Sequence, residues 1–123
     1  MGLAIEFESV NHHFYIPIGV KYGVKHLNAR FLLDTGASKC SIPFVVNEHV
    51  LKLPVQDRDE RIQIAGGTAN YDVVSLDRMD IIGAELFVER VETWLTDDFI
   101  LGMNLLSKFK FKIDKGRKLL IES

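Results

Sequence analysis

The sequence holds a single cysteine, Cys40, so no disulfide can close within one chain and nothing points to an oxidising compartment. The expected role of that side chain is a small buried hydrophobe. Charge of one sign is also lacking: fifteen basic and seventeen acidic residues are mixed along the chain and leave a formal net charge of -2. Without a field of one sign, neither nucleic acid nor an anionic membrane is an expected partner. No stretch of about eighteen apolar residues is present, and no basic segment leads into an apolar one at the N-terminus, which argues against a membrane span and a signal peptide. The cytoplasm is the expected location, and the opening Met1 is what a complete product would carry. Internal repeats, low-complexity tracts, linkers and a glycine-rich phosphate loop are missing as well.

What is there is ordinary for a folded domain. With 47% hydrophobic and 26% charged residues, 123 positions suffice for one domain, residues 1–123, burying roughly two thirds of its unfolded surface. The pattern is mostly β. Phe14 to Val20 and Ala29 to Leu33 predict a hairpin turning around Tyr22 to His26, with Pro17 at an edge or bulge. Ser41-Ile42-Pro43 predicts the start of a short helix through about Leu51, Ser41 serving as N-cap. Arg61 to Ala65 and Tyr71 to Leu76 flank Gly66-Gly67 as a second hairpin with a pliable tip. Met79 to Ile82 and Glu85 to Leu95 add strands around Gly83-Ala84, and Gly102 to Phe109 reads as helix. Phe111 to Ile113 and Leu119 to Ile121 form a last hairpin around Lys115-Gly116. The alternation in Lys108-Phe109-Lys110-Phe111-Lys112 reads as a strand with a solvated lysine face, not a nucleic-acid patch.

The chemistry gathers at Phe31-Leu32-Leu33-Asp34-Thr35-Gly36-Ala37-Ser38, which sets a lone carboxylate at the end of an apolar strand. By itself Asp-Thr-Gly is also what an Asx-type turn after a strand looks like. Hydrolysis of a peptide by water needs a base for the water and an acid for the leaving nitrogen. Two carboxylates about 3 Å apart cannot both ionise, so they share a proton and supply both functions. The triplet occurs once, so such a site requires a second copy of the chain, with one Asp34 from each meeting on a two-fold axis. Gly36 permits a tight turn whose amide can donate to Asp34, and Thr35 offers a hydroxyl for bonding across a symmetric interface.

The order of apolar strand, Asp34-Thr35-Gly36-Ala37, glycine-tipped hairpin and Ile100-Leu101-Gly102-Met103-Asn104-Leu105-Leu106 resembles the retroviral-type, or retropepsin-like, aspartic protease family over nearly the whole chain. The segment Leu101 to Leu106 is similar to that family's Gly-Arg-Asn-Leu-Leu stretch, a short helix behind the active-site loop. The resemblance implies a single-lobe closed β-barrel with one or two short helices and a flap hairpin, working as a homodimer. It makes Asp34 the catalytic aspartate, Thr35 a partner in a Thr-to-Thr network, and Gly36 the amide donor. Ala65, Gly66 and Gly67 become the flap tip over a peptide bound as an added strand, and Ala37, Ser38 and Met103 further substrate-side positions. Viral members carry an ion-paired Asp and Arg where this chain has Ser38 and Met103, and losing both partners together leaves no unpaired buried charge. The chain is thus closer to stand-alone cellular and bacterial members. Ala37 replaces a serine common in pepsin-like lobes and removes a donor to the carboxylate, so the implied optimum is mildly acidic to near neutral.

The function implied is that of a homodimeric aspartic endopeptidase cutting extended, apolar-preferring peptides, with no metal and no cofactor. The alternative is a catalytically silent module of the same fold that binds peptides or dimerises. Elsewhere, His12-His13 on a strand would point to opposite faces, Asp97-Asp98 would end a strand facing water, and Trp94 would belong to the core or the dimer interface.

Overall fold

In β2 (Tyr15–Tyr22), Ile16, Ile18 and Val20 are fully buried while Tyr15 and Lys21 face solvent, the period-two pattern of a strand with one face on a core. The computed structural model describes residues 4–114 and 117–122. β2 runs antiparallel to β3 (Lys25–Leu33), from Tyr15↔Leu32 to Tyr22↔Lys25, through a two-residue Gly23-Val24 turn. Gly23 sits at φ 58, where a side chain would be strained. β4 (Cys40–Pro43) leads into α1 (Phe44–Val46) and a π-helical stretch, Asn47–Leu51. β5 (Asp57–Ile64) and the fifteen-residue β6 (Gly67–Ile81) form a long hairpin, followed by β7 (Leu86–Thr96), β8 (Ile100–Leu101) and α2 (Met103–Leu106).

Six of these strands close on themselves. The order β2-β3-β8-β4-β7-β6 returns to its start because β6 also pairs with β2, from Ile18↔Ile81 to Lys21↔Arg78. Closure removes the open edges of the sheet, and β5 alone hangs outside, bonded to β6. Pro17 falls one residue before the β2–β6 ladder begins, so its missing N–H costs no ladder bond there. A second sheet of β1 (Ala4–Glu8), β10 (Lys118–Glu122) and β9 (Lys110–Asp114) delivers Leu119 and Ile121 to the core beside Phe31, Leu76, Leu101 and Leu105. Each such fully buried side chain contributes about 1.5–3 kcal/mol of transfer free energy.

Several expectations shift. Ser41 does not cap a helix: β4 pairs in parallel with β7, Ser41 opposite Trp94, and this tertiary pairing holds Ser41 extended. Its hydroxyl donates to the Asp98 carbonyl at 2.8 Å, and the helix starts only after Pro43. The helix expected over Gly102 to Phe109 is the single turn α2, after which the chain turns into β9 at Lys110. Tyr71–Leu76 and Met79–Ile82, read as separate strands, belong largely to one strand, β6. His12 and His13 lie at a tight turn closed by Val10 and His13, with Asn11 and His12 both at positive φ, and not within a strand. The Lys115-Gly116 turn lies outside the described residues, but β9 and β10 flank it as an antiparallel pair. Among the described residues no helix is long and apolar enough to cross a membrane.

Candidate active site

Asp34 is placed by hydrogen bonds on both sides of the strand that carries it. The Leu32 amide donates to Phe99 O, that of Leu33 to Phe14 O at 2.9 Å, and that of Asp34 to Leu101 O at 3.0 Å. Phe31, fully buried and packed on Phe99 with ring centroids 5.0 Å apart, anchors the same strand in the core. The chain then turns at once. The Gly36 amide donates to Asp34 Oδ1 at 2.9 Å, and the Ala37 amide to Asp34 O at 3.1 Å. The side chain of Asp34 stays exposed.

The segment after β8 clamps this loop from behind. The amides of Met103 and Asn104 donate to the carbonyls of Ala37 (2.8 Å) and Ser38 (3.0 Å). Asn104 is a two-way staple: its Oδ1 accepts from the Cys40 amide at 2.8 Å, and its Nδ2 donates to Glu92 O at 2.7 Å. Gly102 is required for a spatial reason, since a Cβ there would stand 2.3 Å from Lys39 O. Its amide donates to Cys40 Sγ at 3.3 Å, and burial pushes the Cys40 thiol up to about 11, which makes it a packing group and not a nucleophile.

A cleft of about 710 Å³ opens over the loop. One wall is Asp34, Gly36, Ala37 and Ser38; another is Ile62 to Ala65 of the β5–β6 hairpin; a third is Trp94 to Asp98. The structure therefore brings Asp34, Gly36, Ala37, Ser38 and Ala65 to one space. Thr35 is exposed beside it, and Gly66 and Gly67 form the exposed hairpin tip with open space around both. Met103 does not line the cleft: its side chain is half-buried against the core, and its amide donates to the Ala37 carbonyl. Asp97 and Asp98 follow the end of β7 and are exposed, as expected, yet they also border the cleft.

Sequence reasoning missed a cluster at the cleft's side. Lys39 Nζ meets both oxygens of Glu60 at 3.0 and 3.1 Å and Glu92 Oε2 at 3.2 Å. Trp94, which the sequence assigns to core or interface, is buried but turns its Nε1 to Glu60 Oε1 at 3.2 Å, with Tyr71 against its ring. Burial draws the Lys39 ammonium down, but the bonds and charges of Glu60 and Glu92 outweigh it and hold it above the usual lysine value. Lys39 in turn holds Glu60 below the usual glutamate value, with burial opposing and Trp94 assisting. The sign follows from linkage. Glu60's share is present above its ordinary value of 4.5 and is lost as pH falls through its lowered one. Lys39's share is present below 10.5 and is lost only as pH rises through its raised value. Thermal unfolding of the wild type and Glu60→Gln should therefore differ by a constant amount, at most about 1 kcal/mol for a part-exposed pair, between those limits. The gap should close in acid; a gap that widens below pH 4.5 would contradict the assignment.

A barrel closed by six strands, an Asp-Thr-Gly turn backed by Leu101-Gly102, and a long hairpin across the cleft define a retropepsin-like fold. A crystal structure of a retropepsin-like aspartic protease from Rickettsia conorii is similar at a TM-score of 0.73 and 24% identity, covering 99% of this chain and 92% of that one. The family model described as "Aspartyl protease" matches residues 20–105, and the chain belongs to that family. No curated protein matches the chain.

Proposed function

We propose that the chain is a homodimeric aspartic endopeptidase. The observation that carries this reading is the exposed Asp34 carboxylate, fixed by the Gly36 amide and facing a cleft large enough for an extended peptide. A single Asp-Thr-Gly per chain supplies half of an acid pair, and a two-fold axis through the loop supplies the other half. One carboxylate takes a proton from water while the other, protonated, gives one to the leaving nitrogen, so the reaction needs neither metal nor covalent intermediate. In this reading Thr35, exposed beside Asp34, bonds its symmetry mate across the two-fold axis. The β5–β6 hairpin acts as the flap, with Ala65, Gly66 and Gly67 closing over the peptide while Ala37 and Ser38 line it from below; Met103 contributes through the Ala37 carbonyl. A cytoplasmic location accords with the free Cys40.

Incubated with a complex peptide mixture from about pH 3 to pH 8, the protein should cleave at a rate that rises more than linearly with chain concentration. Strictly linear dependence down to high dilution would refute assembly of the site from two chains. Peptide binding without any cleavage would instead establish a binding module of the same fold.

A further inference from the structure

The hairpin passes beyond the Glu60↔Tyr71 pair for residues 61–70, and over this length β5 is bonded to β6 alone. A two-stranded arm without further partners opens at low free energy. Among the described residues, the polar side-chain contacts that β5 makes outside the hairpin all fall on Glu60. It receives Lys39 Nζ through both carboxylate oxygens and Trp94 Nε1 through one. A bulge directs it there: from Asp57↔Val73 to Glu60↔Tyr71, β5 advances three residues and β6 two, with Asp59 at φ 54.

The other end of this tie is the active-site loop. Lys39 follows Ser38, and its carbonyl is the group pressed against Gly102, so the backbone under the ammonium has little freedom. Its charge lies 5.9 Å from the centroid of the Trp94 ring, and Trp94 packs on Tyr71. The root of the hairpin is thus clamped to the loop that carries Asp34, whereas Ile64 to Thr68 at the tip are exposed.

We propose that Lys39, Glu60 and Trp94 form a latch that sets how closely the hairpin lies over Asp34. They are positioning residues, and the proposal rests on the reading of that hairpin as the flap of a peptidase. The charges predict an order of effects. Glu60→Gln leaves Lys39 paired with Glu92, but Lys39→Met leaves the Glu60 and Glu92 carboxylates together without their cation, so it should release the hairpin further.

Amide hydrogen exchange on the full chain tests this without relying on catalysis. Amides of residues 61–70 should exchange several-fold faster in Glu60→Gln and faster still in Lys39→Met, while those of β2 and β7 keep wild-type rates. Lys39→Arg should retain wild-type exchange, and Trp94→Phe, which keeps a ring but loses the donor, should show a smaller rise. With a cleavable peptide, KM should increase several-fold in Lys39→Met while kcat changes little, because bound substrate draws the hairpin down. Unchanged exchange at 61–70 in Lys39→Met, or an equal rise throughout the barrel, would overturn the latch. Absence of cleavage by the wild type would overturn the peptidase reading alone, and exchange would still decide the latch.

Discussion

Gly102→Ala is expected to lose a large share of the stability of the fold. The added Cβ would stand 2.3 Å from Lys39 O, 2.4 Å from its carbonyl carbon and 2.9 Å from Cys40 N. All three are backbone atoms, so no side chain can swing aside. The loop must retreat by about 1 Å, a scale at which overpacked interiors lose 1–3 kcal/mol or more. That retreat also stretches the bonds from Met103 to Ala37, Asn104 to Ser38 and Cys40 to Asn104, each worth about 1 kcal/mol. Together the loss should reach about 4 kcal/mol or more, against a total of about 5–15 for an ordinary domain. Denaturant unfolding measures it, with Gly66→Ala as the control. Gly66 has open space around it and should stay within about 0.5 kcal/mol of the wild type. A Gly102→Ala chain as stable as that control would show that the loop is far more pliable than its bonding indicates.

Asp34→Asn should have the opposite profile, an intact fold with almost no turnover. Asparagine has the same shape, and its oxygen can still accept the Gly36 amide at the position of Oδ1, so the turn survives. The neutral amide cannot take a proton from water, and in a symmetric dimer the substitution removes both members of the acid pair. General acid–base groups contribute factors of about 100 to 10,000 each, so kcat at saturating peptide should fall by at least about 1,000-fold. The denaturation midpoint should move little. Residual activity above about a tenth of wild type, well short of that expected factor, would place the catalytic carboxylate elsewhere, and Asp97 and Asp98 border the same cleft.

Much of this was legible in the sequence because it depends on neighbours along the chain. Gly23, Gly66-Gly67 and Gly83-Ala84 interrupt alternating apolar runs and mark the hairpin turns where they occur. Asp34 and Gly102 stand out since a turn after a strand, and a glycine after two apolar residues, are local patterns. Ser41 misled because its local signal, a hydroxyl two residues before Pro43, is overridden by pairing with β7 some fifty residues later. The Lys39–Glu60–Glu92 cluster was invisible for the same reason. No periodicity links those three charges, and Trp94 looks like any large core residue until β6 takes β5 and β7 as its two neighbours. The closed barrel was legible only through the family resemblance, and which strands close it, β2 and β6, was beyond a linear reading, since β6 must be long enough to serve two sheet neighbours and a hairpin arm.

The bond from the Asp34 amide to Leu101 O joins points separated by more than half of the chain. Contacts so distant along the sequence form late, because the entropy of closing the intervening loop must be met before they contribute. A chain still emerging from the ribosome can assemble the β2–β3 hairpin and display its carboxylate, but until Leu101 and Gly102 arrive only the local turn and the bond to Phe14 O hold that carboxylate in register. Competence is therefore ordered in time: the turn that bears the acid is made first, and the clamp that makes it usable is synthesised after it.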